Sequence, residues 1–300
     1  MNIALIGTSK IASVHLRILL SLKSTGKIYV ISRSLKRAKN FITKNNFKNR
    51  KIIASNNLKI LGLKKFEIID ICSNTDAHHN VLKKIKSKKT IILVEKPLVN
   101  PDKIKSKISK YLNEIYKKHK KLVVCYPFLF LSKSVKKILK FKKKITSISF
   151  IFFTSGNKIY KDIFYDLFPH AYSFICKMLN LKILKINEDS IKKKSSKNFY
   201  KLKFTTSNKI KISIFFRQDK KFKKPYLKFK INNMIFTRTT KKENNKFLNI
   251  INLNKKKHII SNPMDQFINN MYENRVNKSY FVSNKKFTKD LFKMQSLLLN

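Results

Sequence analysis

Residues 91–97, I-I-L-V-E-K-P, decide the fold. Ile91–Val94 is a run of four apolar, mostly β-branched residues, the pattern of a buried strand. The run stops at Glu95 and Lys96, so this charged pair sits at a strand's carboxyl end, where open α/β sheets hold their ligands. Pro97 follows, and X-Pro is the junction at which a cis peptide is inexpensive. A turn there aims the Lys96 ammonium across the crevice at the sheet edge.

Toward the N-terminus the same logic repeats. N-I-A-L-I at 2–6 reads as a strand, G-T-S-K-I-A at 7–12 as a glycine turn, and Ile11–Leu22 as a helix. Strand, glycine turn and helix form the context of a dinucleotide fingerprint. Gly7 makes the tight turn and Ala12 permits close helix packing, while Ser9 stands where the fingerprint has a glycine that lets backbone approach the pyrophosphate. A second strand, Lys27–Ile31, ends at Ser32 and Arg33, 20 residues after Ala12, where an NAD-binding fold presents an acid to the ribose. No Asp or Glu occurs before Glu67. Arg33, helped by Lys36 or Arg37, offers instead the planar fork that a 2'-phosphate accepts, so NADP is favoured over NAD.

Strands at Ile52–Ala54, Glu67–Cys72 and Lys121–Tyr126, with helices between them, complete a βαβ alternation and hence a parallel sheet. Asn74 or Thr75 caps a helix running to about Ile85, and His79 on it reads as a surface residue. His78 and His79 are adjacent, point in different directions and cannot chelate one ion, so no metal site is expected. Asn100 and Pro101 open a further helix with Ile104, Ile108, Leu112 and Ile115 on one stripe.

The second half reads differently. A helix is expected over 132–141, a long alternating strand over Ile145–Phe153, and a buried helix from about Leu167 to Leu179, with Pro169 confined to its first turn. Asp166 and His170 are four apart and project together from that helix entrance. Period-two segments at Phe199–Thr206, Lys209–Phe216, Tyr226–Ile231, Met234–Thr237 and Leu248–Leu253 predict an antiparallel sheet. Leu202, Phe204, Ile210, Ile212, Ile214, Leu227, Phe229 and Ile231 fall on one face, and Lys201, Lys203, Lys209, Lys211, Lys228 and Lys230 on the other. Pro263–Leu299 returns to helix, with Phe267 and Met271 on one stripe.

Lys+Arg number 69 against 15 Asp+Glu, a formal net charge of +54. Such a balance suggests nucleic acid as a partner. Yet only seven of the basic residues are Arg, the lysines scatter through every segment, and no nucleic-acid motif accompanies them. Drift in an AT-rich genome accounts for this composition, and no specific nucleic-acid partner is expected. Cys72, Cys125 and Cys176 give neither a disulfide framework nor a CxxC pair. No stretch approaches the ~18 apolar residues of a membrane span. A cytoplasmic protein is expected.

Taken together, G-T-S-K-I-A-S-V-H at 7–15, S-N-T-D-A-H at 73–78, V-E-K-P at 94–97 and D-L-F-P-H at 166–170 resemble the glucose-fructose oxidoreductase and inositol 2-dehydrogenase family, Gfo/Idh/MocA. The likeness covers nearly the whole chain. It implies an α/β fold: a dinucleotide-binding Rossmann domain over 1–127, then an α+β domain over 128–300 with a large, mostly antiparallel sheet for substrate and oligomerisation. It implies an NAD(P)-dependent oxidoreductase moving a hydride between the nicotinamide and a secondary alcohol or ketone of a sugar, nucleotide sugar or polyol. Carried onto matching positions, Gly7, Ser9, Lys10, Ile11, Ser32, Arg33, Arg37, Ser73, Asn74, His78, Glu95 and Lys96 bind the cofactor. Lys96, Asp166 and His170 form the catalytic set: His170 the base, Asp166 its orienting partner, Lys96 the stabiliser of charge on oxygen.

Two departures from the family stand out. Phe168 replaces a common Gly, and Y-P-F-L-F at 126–130 lacks a common Arg, which predicts a more apolar pocket. The alternative is a cofactor-binding regulator or scaffold without turnover. Relatives often pair through the outer sheet face. Pressing two lysine-rich faces together costs Coulomb energy and desolvation, so a monomer, or a dimer through another surface, is expected.

Overall fold

A computed structural model describes residues 1–47, 51–100, 107–139, 144–243, 246–272 and 277–299. The chain divides into two compact units, Met1–Cys125 with Ile268–Phe292, and Tyr126–Phe267 with Lys293–Asn300.

In the first unit β1 (Ile3–Ile6), α1 (Lys10–Ser21), β2 (Ile28–Ile31), α2 (Leu35–Lys44), β3 (Ile52–Ser55), α3 (Ile60–Leu63), β4 (Ile68–Ile71), α4 (Thr75–Lys84), β5 (Ile91–Val94), α5 (Ile108–Lys118) and β6 (Leu122–Val124) follow in order. The strands form one parallel sheet in the order β3-β2-β1-β4-β5-β6. β1, β4 and β6 are buried along their whole length, and β5 all but its first residue, as expected of strands covered on both faces. The order reverses between β1 and β4, so the crevice outside their carboxyl ends is the switch point where such sheets take ligands. Ile108, Leu112 and Ile115 form the buried stripe of α5, while the expected opening of that helix at Pro101 and Ile104 lies outside the described residues.

The second unit contains α6 (Phe128–Leu139), β7 (Ser147–Thr154), α7 (Tyr160–Met178), β8 (Ile186–Ser196), β9 (Phe199–Thr206), β10 (Lys211–Gln218), β11 (Tyr226–Ile231), β12 (Met234–Glu243), β13 (Lys246–Leu253) and β14 (Lys256–Ile260). These strands make an eight-stranded sheet, β14-β13-β12-β11-β7-β10-β9-β8, antiparallel throughout except for the parallel β7–β10 pair. The predicted faces hold. Leu202, Phe204, Ile212, Ile214, Leu227, Phe229 and Ile231 are buried, whereas Lys201, Lys203, Lys211 and Lys230 are exposed. Ile210 is only half-buried, because it precedes β10 instead of belonging to it.

β8 and β14 carry no apolar alternation and are not predicted from the sequence; each is an edge strand, which needs only one paired side. Three local expectations are corrected. β12 runs to Glu243, well beyond the apolar Met234–Thr237 segment, because β13 pairs with it that far. His79 is half-buried, its ring 4.9 Å from that of Tyr111 on α5, to whose hydroxyl it also hydrogen-bonds. α7 begins at Tyr160, not near Leu167, so Pro169 lies in the helix interior and Asp166 and His170 lie mid-helix. A proline there cannot donate to the carbonyl four residues back. That carbonyl, on Tyr165, accepts instead from Gln295 Nε2 at 3.5 Å.

Gln295 belongs to α9 (Lys278–Leu299), which follows α8 (Pro263–Tyr272). Phe267 and Met271 are the buried stripe of α8. Earlier on α9, the Asn284 amide closes the sheet at β6, accepting from Val124 N–H at 2.9 Å and donating to Val124 C=O at 3.0 Å. Among the described residues, no helix is long and apolar enough to cross a membrane.

Candidate active site

The turn after β1 is built around Gly7. Its φ of +116° is a conformation L side chains rarely adopt, and an added Cβ would lie 2.7 Å from the carbonyl carbon and oxygen of Cys72. The β1 turn and the end of β4 therefore touch backbone to backbone. Ser9 is the N-cap of α1: its Oγ accepts from Ala12 N–H at 3.3 Å and donates to the Cys72 carbonyl at 3.0 Å. A serine in place of glycine thus ties the turn to β4. Ala12, fully buried, is the close-packing position.

Beside this turn lies a cavity of about 300 Å³ at the carboxyl edge of the sheet. Gly7, Ser9, Ser32, Arg33, Arg37, Ser73 and Asn74 line it. Lys10 lines an adjoining cavity of about 370 Å³ together with Ser9, Arg37 and Lys44. Neither lining contains an acid. Among the described residues the buried Ser73 Oγ has no hydrogen-bond partner. The α1 amides at this turn lack intrahelical acceptors, as at any helix start. An orphaned hydroxyl and two guanidinium groups in an acid-free lining fit a dinucleotide. Ile11 is half-buried in the first turn of α1. Asn74 occupies the N-cap position of α4, though its side chain makes no capping bond.

His78 is buried, with Nε2 3.1 Å from the Ser73 carbonyl and Nδ1 3.2 Å from that of Leu98. Burial lowers its pKa, and the neutral ring donates to one of the two carbonyls at a time. It holds the loop after β4 against the loop after β5. Lys96, half-buried, lies two residues past the end of β5 and its bond to Pro97 is cis.

Glu95 turns the other way, into a buried cluster that nothing in the periodicity announces. Its Oε1 lies 3.1 Å from His15 Nε2, and His15 Nδ1 lies 2.9 Å from Asp70 Oδ2. Cys72 Sγ donates to Asp70 Oδ1 at 3.4 Å and Tyr272 O–H to Asp70 Oδ2 at 3.4 Å. Cys125 joins through Glu95 and His15. Burial disfavours the charged form of His15, but the Asp70 carboxylate, with Cys72 and Cys125, more than offsets this and holds the imidazole well above its ordinary 6.5. Burial alone would raise Glu95; its hydrogen bond to His15, the charge of that ring and then Lys96 bring it below its ordinary 4.5. Burial and the nearby carboxylates push both thiols up, so they stay protonated donors. The sets His15–Asp70–Cys72 and His15–Glu95–Cys125 each bring three donor atoms within 4.8 Å, and a protonated imidazole supplies the positive charge there. The acid inside I-I-D-I at 68–71 was the one sequence signal for it.

In the second unit Asp166 and His170 lie one turn apart on α7, both half-buried. Asp166 Oδ2 pairs with Lys158 Nζ at 2.7 Å, a partner the sequence reading missed. The His170 ring packs 4.4 Å from Phe128 and 5.6 Å from Phe152. Phe168, expected to make the pocket apolar, is instead wholly buried core, stacked on Phe164 at 4.6 Å. A larger cavity, about 830 Å³, lies between the end of α7 and the β9–β10 turn, but no predicted site residue lines it.

None of the curated proteins matches the chain in sequence. Solved structures share its fold along its whole length. A 3-ketoreductase from Actinomadura kijaniata, solved with TDP-benzene and NADP, superposes with a TM-score of 0.67 at 12% identity, covering 97% of this chain and 95% of its own. UDP-N-acetylglucosamine 3-dehydrogenase from Acidithiobacillus ferrooxidans gives 0.65 at 11%, covering 100% and 99%. A Gfo/Idh/MocA family oxidoreductase from Vibrio cholerae gives 0.65 at 12%, covering 100% and 96%. Residues 1–126 match the oxidoreductase family described by its NAD-binding Rossmann fold, and the chain as a whole is similar in fold to Gfo/Idh/MocA oxidoreductases.

Proposed function

We propose that the protein transfers a hydride between NADP and a secondary alcohol or ketone carbon of a sugar, nucleotide sugar or polyol. The observation that carries the cofactor preference is the acid-free cavity after β1 and β2, in which Arg33 and Arg37 stand where an NAD-specific fold presents a carboxylate. Solved structures of this fold name both NADP and NAD+, so the preference rests on these two side chains. The first unit is assigned to the dinucleotide and the second to the substrate and any subunit contact.

When bound, the nicotinamide ring gives or takes the hydride. His170 removes the hydroxyl proton at an unprotonated ring nitrogen, with a contribution of ~10²-fold or more. Asp166, paired with Lys158, orients that ring. Lys96 donates to the substrate oxygen and stabilises negative charge as it develops. Ser73, Asn74 and the α1 turn bind the pyrophosphate and ribose. The protein acts in the cytoplasm, as a monomer or as a dimer that avoids the lysine-rich sheet face.

The test is a fluorescence titration of the purified protein with NADPH and NADH, followed by a turnover screen over sugars, sugar acids and nucleotide sugars. Tighter NADPH binding and turnover of one sugar class are expected. Failure to bind either dinucleotide overturns the reading. Binding without any turnover replaces it by the scaffold alternative.

A further inference from the structure

A cation, Arg238, stands among buried side chains on the inner face of the eight-stranded sheet. By strand register Phe152 on β7, Leu227 on β11, Arg238 on β12 and Ile251 on β13 form a single cross-strand row. The other three are buried apolar side chains. Arg238 is half-buried in their company, and its Nε donates to Asn249 Oδ1 at 2.6 Å. Asn249 is wholly buried and accepts from Thr240 Oγ1 as well, so the guanidinium is held from behind by a fixed amide. Its central carbon lies 5.5 Å over the Phe128 ring, and the His170 ring packs 4.4 Å from that same Phe128. The two polar groups share one aromatic plate.

Among the described residues no carboxylate pairs with Arg238. Burial lowers its pKa to about 10, which leaves it charged at neutral pH. A partly desolvated guanidinium without a counter-ion is costly, and structural arginines usually recover that cost from an acid. With Nε engaged by Asn249, the two terminal nitrogens remain as a planar edge that matches a carboxylate or phosphate.

We propose that Arg238, held by Asn249, forms an oxyanion-recognising subsite beside His170 that takes a carboxylate or phosphate group of the substrate. The proposal rests on His170 being a substrate-contacting residue, and the test separates the two ideas. Full-length protein labelled at histidine Cε1 is titrated with D-glucuronate, D-glucose 6-phosphate and D-glucose in 0.15 M NaCl. The His170 resonance, assigned from His170→Gln, is followed by NMR. At least one charged sugar shifts it saturably, and whether glucuronate or glucose 6-phosphate does so distinguishes carboxylate from phosphate. Glucose leaves it in place.

Arg238→Met weakens the response about tenfold or more. Asn249→Asp, which puts an isosteric carboxylate on the guanidinium, does the same without opening a cavity and serves if Arg238→Met fails to fold. No response to either anion, an equal response to glucose, or wild-type responses in both variants overturns the subsite. NADPH fluorescence is titrated on the same samples: its loss in wild type overturns the oxidoreductase reading and leaves the His170 anion response to be judged by itself.

Discussion

His15 on α1 and Asp70 on β4, 55 residues apart in the chain, are joined by a ring nitrogen 2.9 Å from a carboxylate oxygen, with both side chains wholly out of solvent. The opposite ring nitrogen meets Glu95, the residue before Lys96. One imidazole thus bridges the helix after the glycine turn to the ends of two strands. Replacing His15 by Gln leaves two buried acids facing each other without a cation, and should cost ~3–5 kcal/mol in denaturant unfolding. Adding Asp70→Asn should recover part of that loss, because one of the stranded charges disappears.

The same cluster fixes a pH dependence. His15 has a raised pKa in the folded state, so its contribution is complete below about 6.5 and is lost as pH rises through the folded value. Glu95 has a depressed one, so its contribution is complete above about 4.5 and is lost as pH falls. The stability difference between wild type and His15→Gln should therefore be largest between pH 4.5 and 6.5 and shrink on both sides. Urea midpoints measured from pH 4 to 9 check this, and a difference that grew toward alkaline pH would contradict it.

Arg33 and Arg37 should decide the dinucleotide. Substituting both by Glu is expected to weaken NADPH by ~10²-fold while leaving NADH within a few-fold, since each charge-assisted bond to phosphate is worth about 1.5–3 kcal/mol. Equal losses for the two dinucleotides would mean that neither arginine reads the extra phosphate.

Lys96→Met is predicted to reduce kcat by at least ~10²-fold with little change in NADPH affinity, as befits a group acting on charge that develops during reaction. Retained turnover would remove Lys96 from the chemistry.

Gly7 and Gly62 make a paired control. Gly7→Ala forces a Cβ against backbone in a positive-φ conformation and should cost several kcal/mol, ~1–3 of it from conformational strain alone. Gly62→Ala, in α3, meets nothing nearer than a lysine side chain at 3.5 Å and should be neutral or stabilising by up to ~1 kcal/mol. Thermal unfolding of both variants compares them directly.

Gln295→Ala should cost ~1 kcal/mol, the usual worth of one hydrogen bond. In a Pro169→Ala background the restored Ala N–H takes the Tyr165 carbonyl, and the cost should nearly vanish. Additive effects in that double-mutant cycle would mean that Gln295 stabilises by some other route.

The first unit was largely legible because its strands are short apolar runs between glycine and proline signals, and Gly7 and Ile91–Val94 fall where those signals place them. Pro169 misled, since nothing in the local sequence shows that an amide 126 positions later serves the carbonyl it frees. β8 and β14 were illegible because edge strands need no hydrophobic period. Arg238 lay just past the apolar letters that marked β12, and only register reveals its apolar neighbours. The His15 cluster joins positions 55 and 80 residues apart, and no periodicity encodes such a pairing.

α9 carries a consequence for the order of synthesis. Its Asn284 amide closes the β6 edge of the first sheet, and its Gln295 serves the Pro169 gap in α7. A nascent chain that has emerged only as far as Phe267 possesses all the strands of both sheets but neither of these fastenings. The open β6 edge and the Gln295 contact to α7 must therefore both wait until the ribosome has delivered this one helix.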